Sequence, residues 1–343
     1  MQISISISGS TERTLQCLKA LHADQNFTIH SVITPAPKKI GRKQILTKNP
    51  IHSWAVENKI PTRLIESKVA ELREKFLGEG SDTSSRPDYL LVVDFGYIVP
   101  DWLLEWPVRA PLNIHPSKLP RWRGSSPGQF VLLHGETESA VTLIEMNASL
   151  DQGPLVAQFA FSVERTWTQK EYYLHSFKLI SEKLAETILA HASGAISGNP
   201  QPDDSPTPIA KRLEKTDSFI PFSLLEIAMD GDSDQAKILS KKSLFTELPP
   251  ILLEAFTSTN QSLAQCIENA VRAFQPWPEL WTTVTIGETQ KKMKILSAKV
   301  LKKAKEPTEN AQEILLLEDV CVEGKSPTNW KNVQKEIDEK RIK

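Results

Sequence analysis

At 343 residues the chain exceeds one ordinary domain, so two domains are the default expectation, and 40% hydrophobic with 24% charged residues is the composition of a globular protein with real cores. A formal net charge of -1 rules out wholesale polybasic character, so any contact with nucleic acid has to come from a local patch. Cys17, Cys266 and Cys321 lie far apart without CxxC spacing, which argues against a zinc site and a disulfide framework, and no run approaches about 18 apolar residues, so no membrane span is expected.

The N-terminus MQISISISGS has no basic region ahead of an apolar stretch, hence no secretory signal, and a cytoplasmic location is expected. Residues 2–8 alternate Ile with polar residues, Leu15, Leu18 and Leu21 follow at helical spacing, and TIHSVIT at 28–34 reads as a second strand, which makes a β-α-β unit. YLLVVDF at 89–95 has the continuous apolar character of a central parallel strand covered on both faces. AVTLIEM at 140–146 and PLVAQFAFSV at 154–163 read as later strands. From Gln169 to His191, Tyr173, Phe177, Ile180, Leu184 and Ile188 recur at helical spacing, predicting a long amphipathic helix. The fold class is therefore α/β: an N-terminal Rossmann-like, mostly parallel sheet with helices on both faces, over residues 1–196.

SGNPQPDDSPTP at 197–208, with four prolines, reads as a linker. Residues 209–343 form the second domain: a poorly patterned stretch to about 262, a helix from Leu263 to Phe274 that stops at QPWPELW, then TTVTI, KMKILSAKVL and EILLLEDV. Short strands separated by turns predict a small β-barrel or sandwich, and of the two an OB-like barrel is expected.

The sharpest chemistry lies in LNIHPSKLPRWRG, residues 112–124, where an apolar strand closes on Asn113 and His115 and runs into prolines, arginines and a glycine. Residues at i and i+2 of a strand point to one face, so the two side chains can converge at the strand's C-terminal end, where open α/β sheets bind ligands. An Asn amide can donate to a carbonyl oxygen as it becomes an oxyanion, and a His works as a general acid or base near neutral pH. A capping Asn beside a structural His fits the same spacing. In NASLDQGPL at 147–155, Asp151 sits before Gln-Gly-Pro, the pattern of a turn former, and spacing alone does not bring it to His115.

The stretch 112–158 resembles the signature of the formyltransferases that use 10-formyltetrahydrofolate: Asn-x-His, Ser-Leu-Leu-Pro, Arg-Gly and, some way on, Leu-Asp-x-Gly. Here these are Asn113, His115, Ser117 to Pro120, Arg123-Gly124 and Leu150 to Gly153. The resemblance implies that Asn113, His115 and Asp151 are the catalytic trio, and that Ser117, Lys118, Leu119 and Pro120, with Gly96 and Tyr97, line the folate pocket. It also implies direct acyl transfer to a free amine with no covalent enzyme intermediate and no metal.

The basic stretch at 35–61, with Gly41, Arg42 and Lys43, resembles the substrate-entrance loop of the branch that formylates methionyl initiator tRNA. VRAFQPWPELW and LEDVCVEGKSPTNW resemble that branch's second-domain landmarks. The implied partners are initiator methionyl-tRNA and 10-formyltetrahydrofolate as co-substrate, in support of translation initiation by a monomeric enzyme without membrane contact. Three departures stand out. The loop GSTERT at 9–14 lacks the family's Thr-Pro-Asp-Phe, which bears on the methionine side-chain pocket; Lys118 replaces a Leu; and Lys43 stands where the family has Gly. Between Glu288 and Glu306 lie Lys291, Lys292, Lys294, Lys299, Lys302, Lys303 and Lys305 with no acid. They read either as the solvated face of two strands or as a tRNA footprint in which Arg42, Lys43, Lys291, Lys292 and Lys294 meet the nucleic acid. A sugar-nucleotide or other small-amine formyltransferase would share the catalytic half but not the second-domain landmarks, and a non-catalytic folate- or RNA-binding relative would not need the trio.

Overall fold

The computed structural model describes residues 2–41, 43–77, 86–231, 245–303 and 312–341. The chain divides into two compact units: residues 1–127, 138–161 and 173–210 form the first, and 128–137, 162–172 and 211–343 the second.

The first unit is built on a seven-stranded sheet of order β5-β2-β1-β6-β7-β8-β9. Its strands are β1 (Ile3–Ser8), β2 (Phe27–Pro35), β5 (Thr62–Ile65), β6 (Tyr89–Val92), β7 (Ala110–His115), β8 (Glu138–Glu145) and β9 (Leu155–Ser162). The pairings among β5, β2, β1, β6 and β7 are parallel, and β8 runs antiparallel to β7. Helices follow the parallel strands, as in a Rossmann-like domain; the first, Glu12–His22, starts at a Thr11 cap and buries Leu15, Leu18 and Leu21, the predicted stripe. A small exposed hairpin, β3 (Lys38–Ile40) with β4 (Ile45–Thr47), leaves the sheet after β2.

The Ile-Ser alternation of β1 does not mark a half-solvated strand. Ile3, Ile5 and Ile7 are buried, but so are Ser6 and Ser8, because β1 is central and covered on both faces. Ser6 meets this by hydrogen bonding with Ser31, hydroxyl to hydroxyl at 2.9 Å. The predicted strand over 89–95 stops at Val92 because Asp94 takes a left-handed φ of 52° and turns the chain out of the sheet. Its carboxylate is held there by the Thr11 hydroxyl at 2.8 Å and Arg13 Nε at 2.7 Å. This network spans residues 9–14, expected as a loop, of which Glu12 to Thr14 are already the first turn of the helix capped by Thr11.

The 197–208 stretch is bonded along its length inside the first unit. Asn199 pairs backbone to backbone with Leu155, and Gln201, Ser205 and Thr207 turn inward between outward-facing Pro202, Pro206 and Pro208. It is a strap, and its prolines keep it extended while they give up donors that solvent-facing backbone does not need.

The second unit carries β10 (Trp281–Ile286), β11 (Thr289–Ile295), β14 (Asp319–Val322) and β15 (Thr328–Asn329) as one antiparallel sheet, with β12 (Ala298–Lys303) paired to β13 (Gln312–Leu317), a barrel-like arrangement. The helix Leu263–Phe274 has the predicted bounds; Ser262 caps it, accepting from Gln265 N, and Ile267, Val271 and Phe274 are buried, each burial contributing on the order of 1.5–3 kcal/mol. The poorly patterned stretch holds two further helices, Phe222–Asp230 and Pro250–Ser258. Among the described residues no helix is long and apolar enough to cross a membrane.

Candidate active site

β7 delivers Asn113 and His115 to the C-terminal end of the parallel strands. Asn113 registers with Val92 of β6 and Ile144 of β8, and His115 with Thr142. Alternation puts Asn113 and His115 on one face of β7 and Leu112 and Ile114 on the other, in the core. Among the described residues the Asn113 amide has no hydrogen-bond partner, so it is left available at the strand end.

His115 is buried, and its Nε2–H donates to the Trp122 carbonyl at 2.9 Å. Its Nδ1 lies 3.7 Å from Asp151 Oδ2, an ion-pair contact longer than a hydrogen bond. Both ring nitrogens thus face oxygen acceptors, Nε2 at hydrogen-bonding distance and Nδ1 at ion-pair distance. Asp151 is brought there by its own backbone, with a φ of 51°, and by Gly124 N, which donates to Oδ2 at 2.7 Å.

Two glycines make this approach possible. Gly124 has a φ of 121°, and a Cβ there would stand 2.5 Å from the Ala210 carbonyl oxygen. A Cβ at Gly153 would sit 1.6 Å from the Glu145 carbonyl, so the Asp-Gln-Gly turn closes only with glycine.

The loop from Pro116 to Gly124 is braced from behind. The Thr142 hydroxyl donates to Ser117 O at 2.6 Å, Gln158 Nε2 to Leu119 O at 3.0 Å, and the Ser205 hydroxyl to Pro120 O at 2.9 Å. Trp122 N donates to the Thr207 hydroxyl at 2.7 Å. Ser117 and Leu119 are buried, with the Ser117 hydroxyl spent on Arg121 O, whereas Lys118 is exposed and Pro120 half-buried. Of the four loop residues expected at a folate, only Lys118 and Pro120 therefore present side chains outward; Ser117 and Leu119 shape the backbone. Gly96 is exposed with open space around it, and Tyr97 joins Phe95, Val99, Trp102, Trp106 and Met146 in a half-buried apolar patch over the core of Ile33, Leu90 and Val92.

Thr142, Gln158, Gln201, Ser205 and Thr207 are missing from the sequence-based expectations. The alternation of polar residues with prolines in the strap was the available signal for the last three.

The basic residues are distributed differently from their sequence pattern. Arg42 lies outside the described residues, and Lys43 is exposed on the turn of the β3–β4 hairpin. On β11, Lys292 and Lys294 share one face, while Lys291 shares the other with the buried Met293 and Ile295. Strand alternation therefore separates Lys291 from Lys292 and Lys294, the three lysines expected to meet nucleic acid. Lys292 Nζ lies 3.8 Å from the centroid of the Trp281 ring, and burial pushes its ammonium below its ordinary value, with Lys294 and Lys215 pushing the same way. The acid-free run is also not acid-free in space: Lys294 pairs with Glu279, Lys299 with Glu318 at 2.6 Å and Lys302 with Glu313 at 4.0 Å. Lys305 lies outside the described residues.

Comparison with known proteins adds family evidence. The formyl transferase family model matches residues 1–188, and the model for the formyl transferase C-terminal domain matches 260–335. The methionyl-tRNA formyltransferase of Anaplasma phagocytophilum is 33% identical over 214 residues, covering 62% of this chain and 68% of that one. The methionyl-tRNA formyltransferase of Legionella pneumophila (strain Corby) is 27% identical over 281 residues, covering 82% and 75%. Among solved structures, an N-formyltransferase from Helicobacter canadensis, in complex with folinic acid and dTDP-3-aminofucose, superposes with a TM-score of 0.54 at 17% identity, covering 89% of this chain and 90% of that one. A likeness at that identity shows a shared fold.

Proposed function

The chain belongs to the formyltransferase family, and from that premise we propose that it moves a formyl group from 10-formyltetrahydrofolate to the free amino group of methionyl initiator tRNA. The observation that carries the chemistry is the convergence of Asn113, His115 and Asp151 at one strand end, with Asp151 tied to Gly124 N and set against His115 Nδ1. The tRNA reading is supported by the second-domain match and by relatives of that name aligned over most of the chain.

In this reading the folate supplies the formyl carbonyl, and the half-buried patch of Phe95, Tyr97 and Met146 over the core of Leu90 and Val92 suits a flat heteroaromatic ring. The unpartnered Asn113 amide donates to the formyl oxygen as negative charge develops on it. His115, held by Trp122 O, carries positive charge near the same oxygen, and Asp151 balances that charge and accepts the proton that the attacking amine loses; the proton passes to the folate nitrogen as its bond to the formyl carbon breaks, which releases tetrahydrofolate. No side-chain nucleophile takes part. On the second unit, the Lys292 and Lys294 face follows the tRNA backbone, and Arg42 and Lys43 meet the acceptor end.

The test is formylation by the purified protein with 10-formyltetrahydrofolate and charged initiator tRNA, elongator tRNA or a dTDP-amino sugar as acceptor. Transfer to initiator methionyl-tRNA well above the other two is the expected result. Efficient transfer to the amino sugar, with charged tRNA ignored, would replace this reading by the small-amine one.

A further inference from the structure

Arg123 is 2% exposed and, among the described residues, forms no ion pair. Its guanidinium is instead satisfied by the strap: it donates to the carbonyls of Pro202 at 2.7 Å and Asp203 at 2.9 Å, and to Gln201 Oε1 at 3.1 Å. Arginine has only donors, so Gln201 must turn its amide oxygen toward Arg123. That fixes the other end of the same amide. Gln201 Nε2 donates to the carbonyl oxygens of Asp151 at 2.9 Å and Gly153 at 2.7 Å. A flipped amide would set oxygen against two carbonyls and NH2 against a guanidinium, so a single orientation survives.

Asp151 needs such a hold. A non-glycine residue at a φ of 51° sits in a sparsely populated region, at a cost of order 1 kcal/mol or more, and stays there only when its surroundings over-determine it. The carboxylate end is held by Gly124 N, and the backbone end by Gln201. The distance between Asp151 and His115 Nδ1, 3.7 Å, is therefore set by both holds. We infer that Gln201 is a positioning residue for the transfer reaction: anchored by buried Arg123, it fixes the Asp151 turn and through it the His115 pair. The inference rests on the roles proposed above for Asp151 and His115.

Gln201→Glu separates this role from simple anchoring of the strap. The carboxylate keeps an acceptor for Arg123, and strengthens it, while its second oxygen now repels the Asp151 and Gly153 carbonyls. The expected variant is folded, has KM for the formyl donor within about twofold of the parent, and loses kcat by about 10- to 100-fold, the scale of a misplacement near 1 Å. In an Asp151→Ala background the same change costs less than about twofold, because the residue through which it acts is gone. Unchanged kcat in folded Gln201→Glu, or an equal loss in both backgrounds, overturns the positioning role. Histidine labelled with 15N gives a readout independent of substrate: the His115 ring signals of Gln201→Glu should move in the direction seen for Asp151→Ala, and unmoved signals overturn the inference whatever the acceptor amine proves to be. Absence of transfer by the unaltered protein would count against the functional reading alone. Gln201→Met, which removes both interactions at similar volume, serves for the same readouts if the Glu variant does not fold.

Discussion

The loops around His115 and the lysine-bearing face of β11 solve opposite problems. Around His115 the polar groups meet backbone amides and carbonyls at hydrogen-bonding distance, and even a guanidinium, that of Arg123, is buried and ends on carbonyls. On β11 the charges sit at the ends of long side chains, and of Lys291, Lys292 and Lys294 only Lys294 is answered by an acid, Glu279, among the described residues. Stabilising a developing charge requires donors fixed in advance, since a dipole that has to reorient gives back what it gains. Following a phosphate backbone requires charge at the right height but little precision. Substitutions in the first region should therefore act steeply and position by position, those in the second gently and through salt.

The largest effect is expected at Asn113 and Asp151. Asn113→Ala and Asp151→Ala should each lose about 10²- to 10³-fold in kcat, the usual worth of one electrostatic contact to a reacting oxygen, with folate affinity retained in a binding titration. Near-normal turnover by either variant would show that the loops are rigid for some other reason. Gly124→Ala comes next. It needs a Cβ at a φ of 121° and 2.5 Å from a backbone oxygen that cannot retreat, so unfolding free energy in a denaturant titration should fall by about 1–3 kcal/mol. Turnover should drop with it, because Gly124 N holds Asp151.

The sequence carries some of this plainly and some not at all. The helix Leu263–Phe274 and strands β2, β8 and β9 are legible because an apolar period runs between clear stops, such as Ser262 ahead of the helix. The runs KMKILSAKVL and EILLLEDV look like single strands, yet each breaks in two. Leu296 N and Glu318 N leave their own ladders to bond Asp319 O and Ser297 O, and each kink supplies the partner for the other. Pairing between two bends is tertiary information that neither run contains. The helices Phe222–Asp230 and Pro250–Ser258 follow Pro221 and Pro249, not a Ser, Thr or Asp cap, so the usual start signal is absent.

At the site, the placing of Asn113 and His115 on one face follows from alternation alone. Asp151 comes within reach of His115 only through a left-handed turn and a bond to Gly124, 27 residues away in sequence, which no local pattern encodes; it is the resemblance to a known signature that points there. Gln201 is hidden by composition. Its proline-rich surroundings read as a linker, while in the fold those prolines hold a strap extended so that its carbonyls can receive Arg123.

The smallest expected effects belong to β11, and they test the alternation that splits its lysines. Each phosphate neutralised contributes a slope of roughly -0.7 to -0.9 in log K against log salt. If the outward face meets tRNA, Lys292→Ala should flatten that slope by somewhat less than one unit, because this ammonium lies over Trp281 without an acid within ion-pair reach among the described residues. Lys294→Ala should flatten it less, since removing a lysine already paired with Glu279 also frees a carboxylate that repels phosphate at every salt concentration. Lys291→Ala, on the face of Met293 and Ile295, should leave the slope unchanged. Slopes from filter binding of charged initiator tRNA at several ionic strengths check the order. Should Lys291 matter as much as Lys292, the tRNA would be reading the whole strand edge, and the charge on β11 would not be sorted by face at all.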